Sequence, residues 1–301
     1  ALLVRQAPSY AALPTPPAPA EAEQVEQDFA LGSEWLYYKL YCGQLVADRL
    51  LLEAIRPLAA ALREQGLIDN WFFVRYADPD NHLRVRWHLP DPRRLGEVVL
   101  LVAEYLRPFS GDHVIWRVQT DTYRRELARY GRRTIAASEV LFGYQSDALL
   151  DHLAQQGATD EPSEPWLWGL AAVDELLTAF GYALAQKATL LHELKAGFAQ
   201  EFGLDKDLKM QLDAKYRAAR AAIAAALAAP PGPPAGLLAI TQRIEQRAAQ
   251  GPPEIAPAER LGSYIHLLLN RVLPADARLH ELVLYDFLAR HYASALARRR
   301  G

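Results

Sequence analysis

The stretch RYADPDNHLRVRWHL, Arg75 to Leu89, decides the reading of the fold. From His82 to His88 the basic side chains His82, Arg84, Arg86 and His88 point one way, and Leu83, Val85 and Trp87 point the other. A period of two is the mark of a strand with one face packed on a core. WFFVRY, Trp71 to Tyr76, is a second β-prone run, and the turn-rich ADPDN between the two makes a hairpin. The basic face asks for an anion. Arginines two residues apart repel each other unless water, carboxylate or phosphate offsets their charge, and the planar guanidinium grips such oxyanions with paired hydrogen bonds. A solvated face with salt bridges to helix carboxylates is the plainer reading of the same pattern.

Working outward, EWLYYKLY (Glu34 to Tyr41) alternates as a first strand, and Leu45 to Gln65 is an apolar-periodic helix ended by Gly66. A helix from Pro92 to Leu106 and a strand from His113 to Gln119 follow. Beyond Tyr123 the pattern is helical, in segments 134–155, 165–187, 188–202, 205–229, 235–249, 258–271 and 276–298, broken sharply by PPGPP at Pro230 to Pro234. The expected fold is α+β: a small, mostly antiparallel sheet from the first half packed against a predominantly helical second half. Residues 1–31, with PTPPAPA at Pro14 to Ala20, read as a proline-rich tail or linker, leaving 32–301 as the domain.

A chain of 301 residues with 51% hydrophobic content can bury a large core. Its net charge of −3 gives no general drive toward nucleic acid or anionic membrane, so any basic site is a local concentration. One cysteine, Cys42, excludes an internal disulfide framework and fits a reducing compartment. No apolar run approaches a membrane span and no signal-peptide pattern opens the chain, so a cytoplasmic location is expected.

Further chemistry concentrates in three segments. DTYRRELARYG, Asp121 to Gly131, read as a helix, sets Arg125 and Arg129 four residues apart and Glu126 three before Arg129; an ion-paired surface helix is the bland alternative. In LFGYQSD, Leu141 to Asp147, glycine and serine weaken the helix and would let Ser146-Asp147 reach a neighbouring loop; a packed helix with a hydrogen-bonded serine is the plainer reading. In SYIHLLLNR, Ser263 to Arg271, His266 and Asn270 share a helix face; a histidine among leucines is often a satisfied core residue, but facing an arginine-lined pocket it would transfer protons. There is no HExxH, paired CxxC, phosphate loop or GxSxG, and Arg84 and Arg86 disfavour a metal between His82 and His88.

Together, GSEWLYYKLYCG, WFFVRYADPDNHLRVR, DTYRRELARYG, ASEVLFGYQSD and SYIHLLLNR resemble, in this order, the C-terminal domain of lantibiotic dehydratases, also found as the thiopeptide-type bacteriocin biosynthesis domain. The resemblance implies a lyase that eliminates glutamate from glutamylated serine or threonine of a precursor peptide, leaving dehydroalanine or dehydrobutyrine. Matched by motif, Arg86, Glu126, Arg129 and His266 would be catalytic, and Arg84 matches a further basic position of the strand; His82, Arg84, Arg125 and Asn270 are expected to bind substrate. No cofactor or metal is implied. The implied partners are the glutamylated precursor and a glutamylation domain or subunit, fused or separate, that uses glutamyl-tRNA; no direct nucleic-acid contact is expected, and a homodimer is. The chain is too short to hold that large domain, so its proline-rich amino end would be an attachment point or the start of a stand-alone form. It departs from the family at RYGRR, where Arg132 replaces a usual second glycine; this bears on the loop shape there, not on Arg129. Two other roles fit the same resemblance: a thiopeptide pyridine synthase, which joins two dehydroalanines and expels the leader, or a non-catalytic subunit that binds precursor at a sheet edge.

Overall fold

The computed structural model describes residues 25–111, 114–156, 164–201, 203, 205–228, 232–274 and 277–300; Pro14–Ala20, His113, Pro230 and Pro231 lie outside the described residues. Strands β1 (Asp28–Phe29) and β2 (Trp35–Cys42) precede α1 (Gln44–Leu50), a π turn at Leu51–Ile55, and α2 (Arg56–Glu64). Next come β3 (Asn70–Tyr76), β4 (His82–His88), a 3-10 turn at Pro92–Arg94, α3 (Leu95–Gly111), β5 (Ile115–Thr120) and β6 (Tyr123–Arg124). The rest is helical: α4 (Leu127–Tyr130), α5 (Ile135–Gln156), α6 (Pro165–Ala179), α7 (Leu184–Glu201), α8 (Lys206–Ala226), α9 (Ala235–Ala248), α10 (Pro257–Val272) and α11 (Ala277–Arg300). The α+β reading holds. No helix among the described residues is long and apolar enough to cross a membrane.

The main sheet is antiparallel throughout, in the order β3-β4-β2-β5. Its register sets Phe72, Arg86 and Tyr37 in one cross-strand row, Val74, Arg84 and Lys39 in the next, and Tyr76, His82 and Tyr41 in a third. The other face, with Leu36, Leu40, Trp71, Phe73, Leu83, Val85 and Trp87, joins Leu50, Leu58, Leu62, Val98 and Val102 in one core. The expected alternation of β4 is therefore present, but its basic face is not simply solvated: His82 and Arg86 are buried.

Helices α10 and α5 seal the outer edge of β3. Asn270 accepts from the Arg75 N–H and donates to the Arg75 carbonyl, both at 3.0 Å. Arg271 Nε donates to the Phe73 carbonyl at 2.8 Å, and the Phe73 N–H donates to Ser146 Oγ at 3.3 Å. An edge whose backbone groups are already taken cannot accept an added strand there. Helix α5 comes close enough that a Cβ on Gly143 would lie 2.2 Å from Asn70 Oδ1 and 2.9 Å from the Trp71 carbonyl oxygen. Thus glycine in LFGYQ serves close packing, in line with the packed-helix reading of that segment.

Four expectations are corrected. The fold begins before Gly32, because β1 pairs with β6 and the Phe29 ring stacks on Tyr123 at 5.8 Å. That pairing also prevents a continuous helix over Asp121–Gly131: the Arg125 N–H donates to the Gln27 carbonyl at 2.8 Å, and only the single turn α4 remains. The helix expected over 165–187 ends at Ala179, and Gly181 at φ +79° turns the chain into α7. The helix before Gly66 carries the π turn, since Pro57 has no N–H for the Glu53 carbonyl and the chain widens just ahead of it.

Candidate active site

Beside the basic face of the sheet, a cavity of about 360 Å³ is lined by residues of β3, β4, β6, α4, α5 and α10. Six of the eight sequence-derived site residues meet there: Arg84, Arg86, Glu126, Arg129, His266 and Asn270. With Arg124, the lining holds four arginines against one carboxylate. Among the described residues, no group of three His, Cys, Asp or Glu side chains is placed to hold a metal ion.

Arg86 is the electrostatic centre. Its guanidinium carbon lies 4.6, 4.7 and 5.1 Å from the ring centroids of Tyr37, Tyr123 and Phe72. Its Nε and Nη1 are sealed from water and have no hydrogen-bond partner among the described residues. Ring faces attract a cation without supplying the counter-charge that a buried guanidinium lacks. Behind it, Arg271 is wholly buried on carbonyls and Gln145, and burial pushes its guanidinium down to about 9, with Arg86 adding repulsion. The cavity floor is thus a region of uncompensated positive charge. An incoming carboxylate would relieve it.

Arg84 lies flat on the Tyr76 ring, 3.4 Å from its centroid, and its Nε donates to His82 Nε2 at 3.1 Å. His82 Nδ1 contacts the Asp80 carbonyl at 2.8 Å. Both ring nitrogens are therefore engaged, and burial lowers the imidazole pKa, so His82 orients Arg84 from behind. It does not line the cavity.

The turn α4 places Glu126 and Arg129 three residues apart at the mouth, where Arg129 Nε meets Glu126 Oε2 at 2.9 Å. Both side chains are exposed, so this ion pair contributes little to stability. Tyr130 anchors the turn from beneath, stacked on Tyr264 at 5.5 Å. Gly131 then adopts φ +77°, where a Cβ would lie 2.7 Å from Glu254 Oε2. Glu254 also receives the Arg132 N–H at 2.5 Å, so the RYGRR departure leaves the loop clasped by a carboxylate, with the Arg132 side chain outside.

His266 lies on the half-exposed stripe of α10 with Leu267 and Asn270, while Tyr264, Ile265, Leu268 and Leu269 form its core stripe. The core-histidine alternative is thereby set aside. Its Nδ1 stands 2.8 and 3.0 Å from the two carboxylate oxygens of Glu281, a fully buried residue of α11. Tyr285 donates to the same carboxylate at 3.3 Å. Sequence reasoning missed Glu281, because nothing in the α11 pattern separates it from a solvated helix acid. The aromatic cage and Arg124 were likewise not anticipated.

Two expected substrate contacts are otherwise engaged. Arg125 grips Glu139 with Nε and Nη2, both at 2.7 Å, and Nη1 donates to the Glu26 carbonyl at 3.1 Å. It braces β6 against α5, outside the cavity. Asn270 lines the cavity, but its amide holds the β3 backbone as described above.

Fold and cavity together define an α+β domain with a histidine and a cluster of arginines on one cavity. The chain belongs to the lantibiotic biosynthesis dehydratase C-terminal family, whose pattern matches residues 35–292. It is 23% identical over 280 residues to the subtilin biosynthesis protein SpaB of Bacillus subtilis, which is 89% of this chain and 26% of that protein. It is 30% identical over 111 residues to the nisin biosynthesis protein NisB of Lactococcus lactis subsp. lactis, 36% of this chain and 11% of that protein. The chain thus spans a minor part of the length of these relatives. The tRNA-dependent lantibiotic dehydratase MibB from Microbispora sp. 107891 shares the fold with a TM-score of 0.66 and 21% identity, over 90% of this chain and 29% of that one. The pyridine synthase TbtD from thiomuracin biosynthesis matches with a TM-score of 0.58 and 17% identity, over 87% and 98%.

Proposed function

We propose that this chain is a lyase that eliminates glutamate from glutamylated serine or threonine side chains of a ribosomally made precursor peptide. The observation that carries the reading is the buried Arg86, with no counter-ion among the described residues, opening with Arg84 and Arg129 onto the cavity that His266 lines. In the elimination, the Cα–H bond of the esterified residue breaks and its electron pair forms the Cα=Cβ bond. The Cβ–O pair leaves on the glutamate carboxylate. Arg86, with Arg84, holds the carboxylate groups and the charge that develops on the departing oxygen. Arg129 closes the mouth with Glu126, which orients it, and His266 transfers the proton. The activating group arrives on the substrate, so these residues need no further cofactor. A glutamylation domain or subunit that uses glutamyl-tRNA would supply the ester.

A pyridine synthase on the same fold is the second reading, favoured by the likeness to a chain whose length ours nearly spans. Convergence of both arginine motifs and His266 on one cavity supports elimination over it. The test is a glutamylated serine peptide incubated with the purified chain and read by mass spectrometry. Wild-type protein should release glutamate and leave a peptide one water lighter than the unmodified one. Arg86→Ala and Arg129→Ala should leave the ester intact, with a barrier higher by about 2–4 kcal/mol. Undiminished elimination by both variants would remove the arginine assignment.

A further inference from the structure

The contact between His266 and Glu281 has a charge balance that the arginine cluster does not explain. Glu281 is fully buried, and its polar neighbours are His266 Nδ1 at 2.8 and 3.0 Å and the Tyr285 hydroxyl at 3.3 Å. Arg278, one turn earlier on α11, pairs with Glu201 of α7 instead. Among the described residues, the group able to become a cation within hydrogen-bond reach of this carboxylate is therefore the imidazole itself. A buried carboxylate kept for an imidazole does two things. It holds the proton on Nδ1, which leaves a lone pair on Nε2, and it stabilises the imidazolium once that lone pair takes a proton.

We propose that Glu281 is the positioning residue that fixes His266 as the base of the elimination, with Tyr285 steadying the carboxylate. The inference rests on the elimination reading and adds the direction of proton transfer. A carboxylate is expelled as a stable anion near neutral pH and needs no acid, whereas the α-hydrogen of a peptide residue leaves only to a base. Nε2 takes that hydrogen as a proton, the C–H electron pair becomes the Cα=Cβ bond, and glutamate departs with the Cβ–O pair. The imidazolium then returns its proton to water. Other charged and titratable groups facing the pair are Arg278 and Tyr285 on α11, Glu201 on α7, and Arg84, Arg86, Glu126 and Arg129 across the cavity. Arginines dominate the cavity lining, and Glu281 is the carboxylate in contact with the imidazole.

The test is Glu281→Gln, with Glu281→Asp beside it. Glutamine is close in shape but neutral, so kcat on the glutamylated peptide should fall at least about ten-fold and up to about 10⁴-fold, the loss seen when the carboxylate behind a histidine base is neutralised, with KM little changed. The acid limb of the kcat profile should move to lower pH, because the imidazolium loses the carboxylate that touches it. Aspartate, keeping the charge one methylene further away, should fall between. Independently of turnover, the His266 imidazole, assigned by its absence in His266→Asn, should titrate by NMR at lower pH in Glu281→Gln than in wild type. If Glu281→Gln does not fold, the smaller shift of the same sign in Glu281→Asp decides. An unmoved acid limb and unmoved titration would overturn the inference even if kcat fell, since that pattern marks a structural role. Failure of wild-type protein to eliminate would refute the parent reading, while the titration still tests the pair.

Discussion

Arg86 carries its charge into an aromatic cage whose three rings offset only part of the lost hydration. Function and stability should therefore pull apart at this residue. Replacing it with an apolar side chain of similar length, Arg86→Met, should stabilise the free protein by about 1–3 kcal/mol, as removal of an uncompensated buried charge does, while abolishing elimination. Thermal unfolding checks this, and a midpoint below wild type would show that the caged cation is net stabilising. Arg84, Arg86, Glu126, Arg129 and His266, which the fold brings to one cavity, could be singled out in the sequence because each sits in a stretch whose own spacing or motif marks it. Glu281 could not. Its contact with His266 crosses from α10 to α11, a juxtaposition that only helix packing creates. Arg125 was misread for a related reason: assuming a helix placed it beside Arg129, whereas strand pairing turns it toward Glu139.

At the scale of elements, the site depends on a sheet edge held by side chains. Asn270 closes both backbone groups of Arg75, and Asn270→Ala leaves that pair without a partner. A loss of about 1–3 kcal/mol is expected from unmade hydrogen bonds at a half-buried edge, measured by urea unfolding. A loss below about 0.5 kcal/mol would mean that water replaces the amide freely and that the edge is open to an added strand. The strands β2, β3 and β4 and most helix spans followed from periods of two and of 3.6 residues. The two-residue strands β1 and β6 have no period to read, and their pairing is set by the Phe29 and Tyr123 rings nearly a hundred residues apart. The break between α6 and α7 turns on Gly181, whose positive φ is a property of the folded chain and not of its hydrophobic pattern.

For the whole molecule, neither the sheet order nor which helices cover its basic face could be read from local pattern, since both depend on long-range packing. That packing buries His82 and half-buries His152 and His291, and it lowers their pKa values mainly by desolvation. Between the lowered folded values and the ordinary value of 6.5, the unfolded chain binds more protons than the native one. Stability from these groups is therefore fully present above about pH 6.5 and is lost as pH falls below it. Thermal midpoints should be level from about pH 7 to 8 and decline toward about pH 5; a midpoint unchanged down to about pH 5 would contradict this burial. The central claim, that this molecule removes glutamate by elimination and not by simple ester hydrolysis, is tested most directly with a glutamylated peptide carrying deuterium at the serine Cα. The account predicts that each glutamate released is matched by one deuterium lost and one dehydroalanine formed; glutamate released with the deuterium retained and serine regenerated would contradict it.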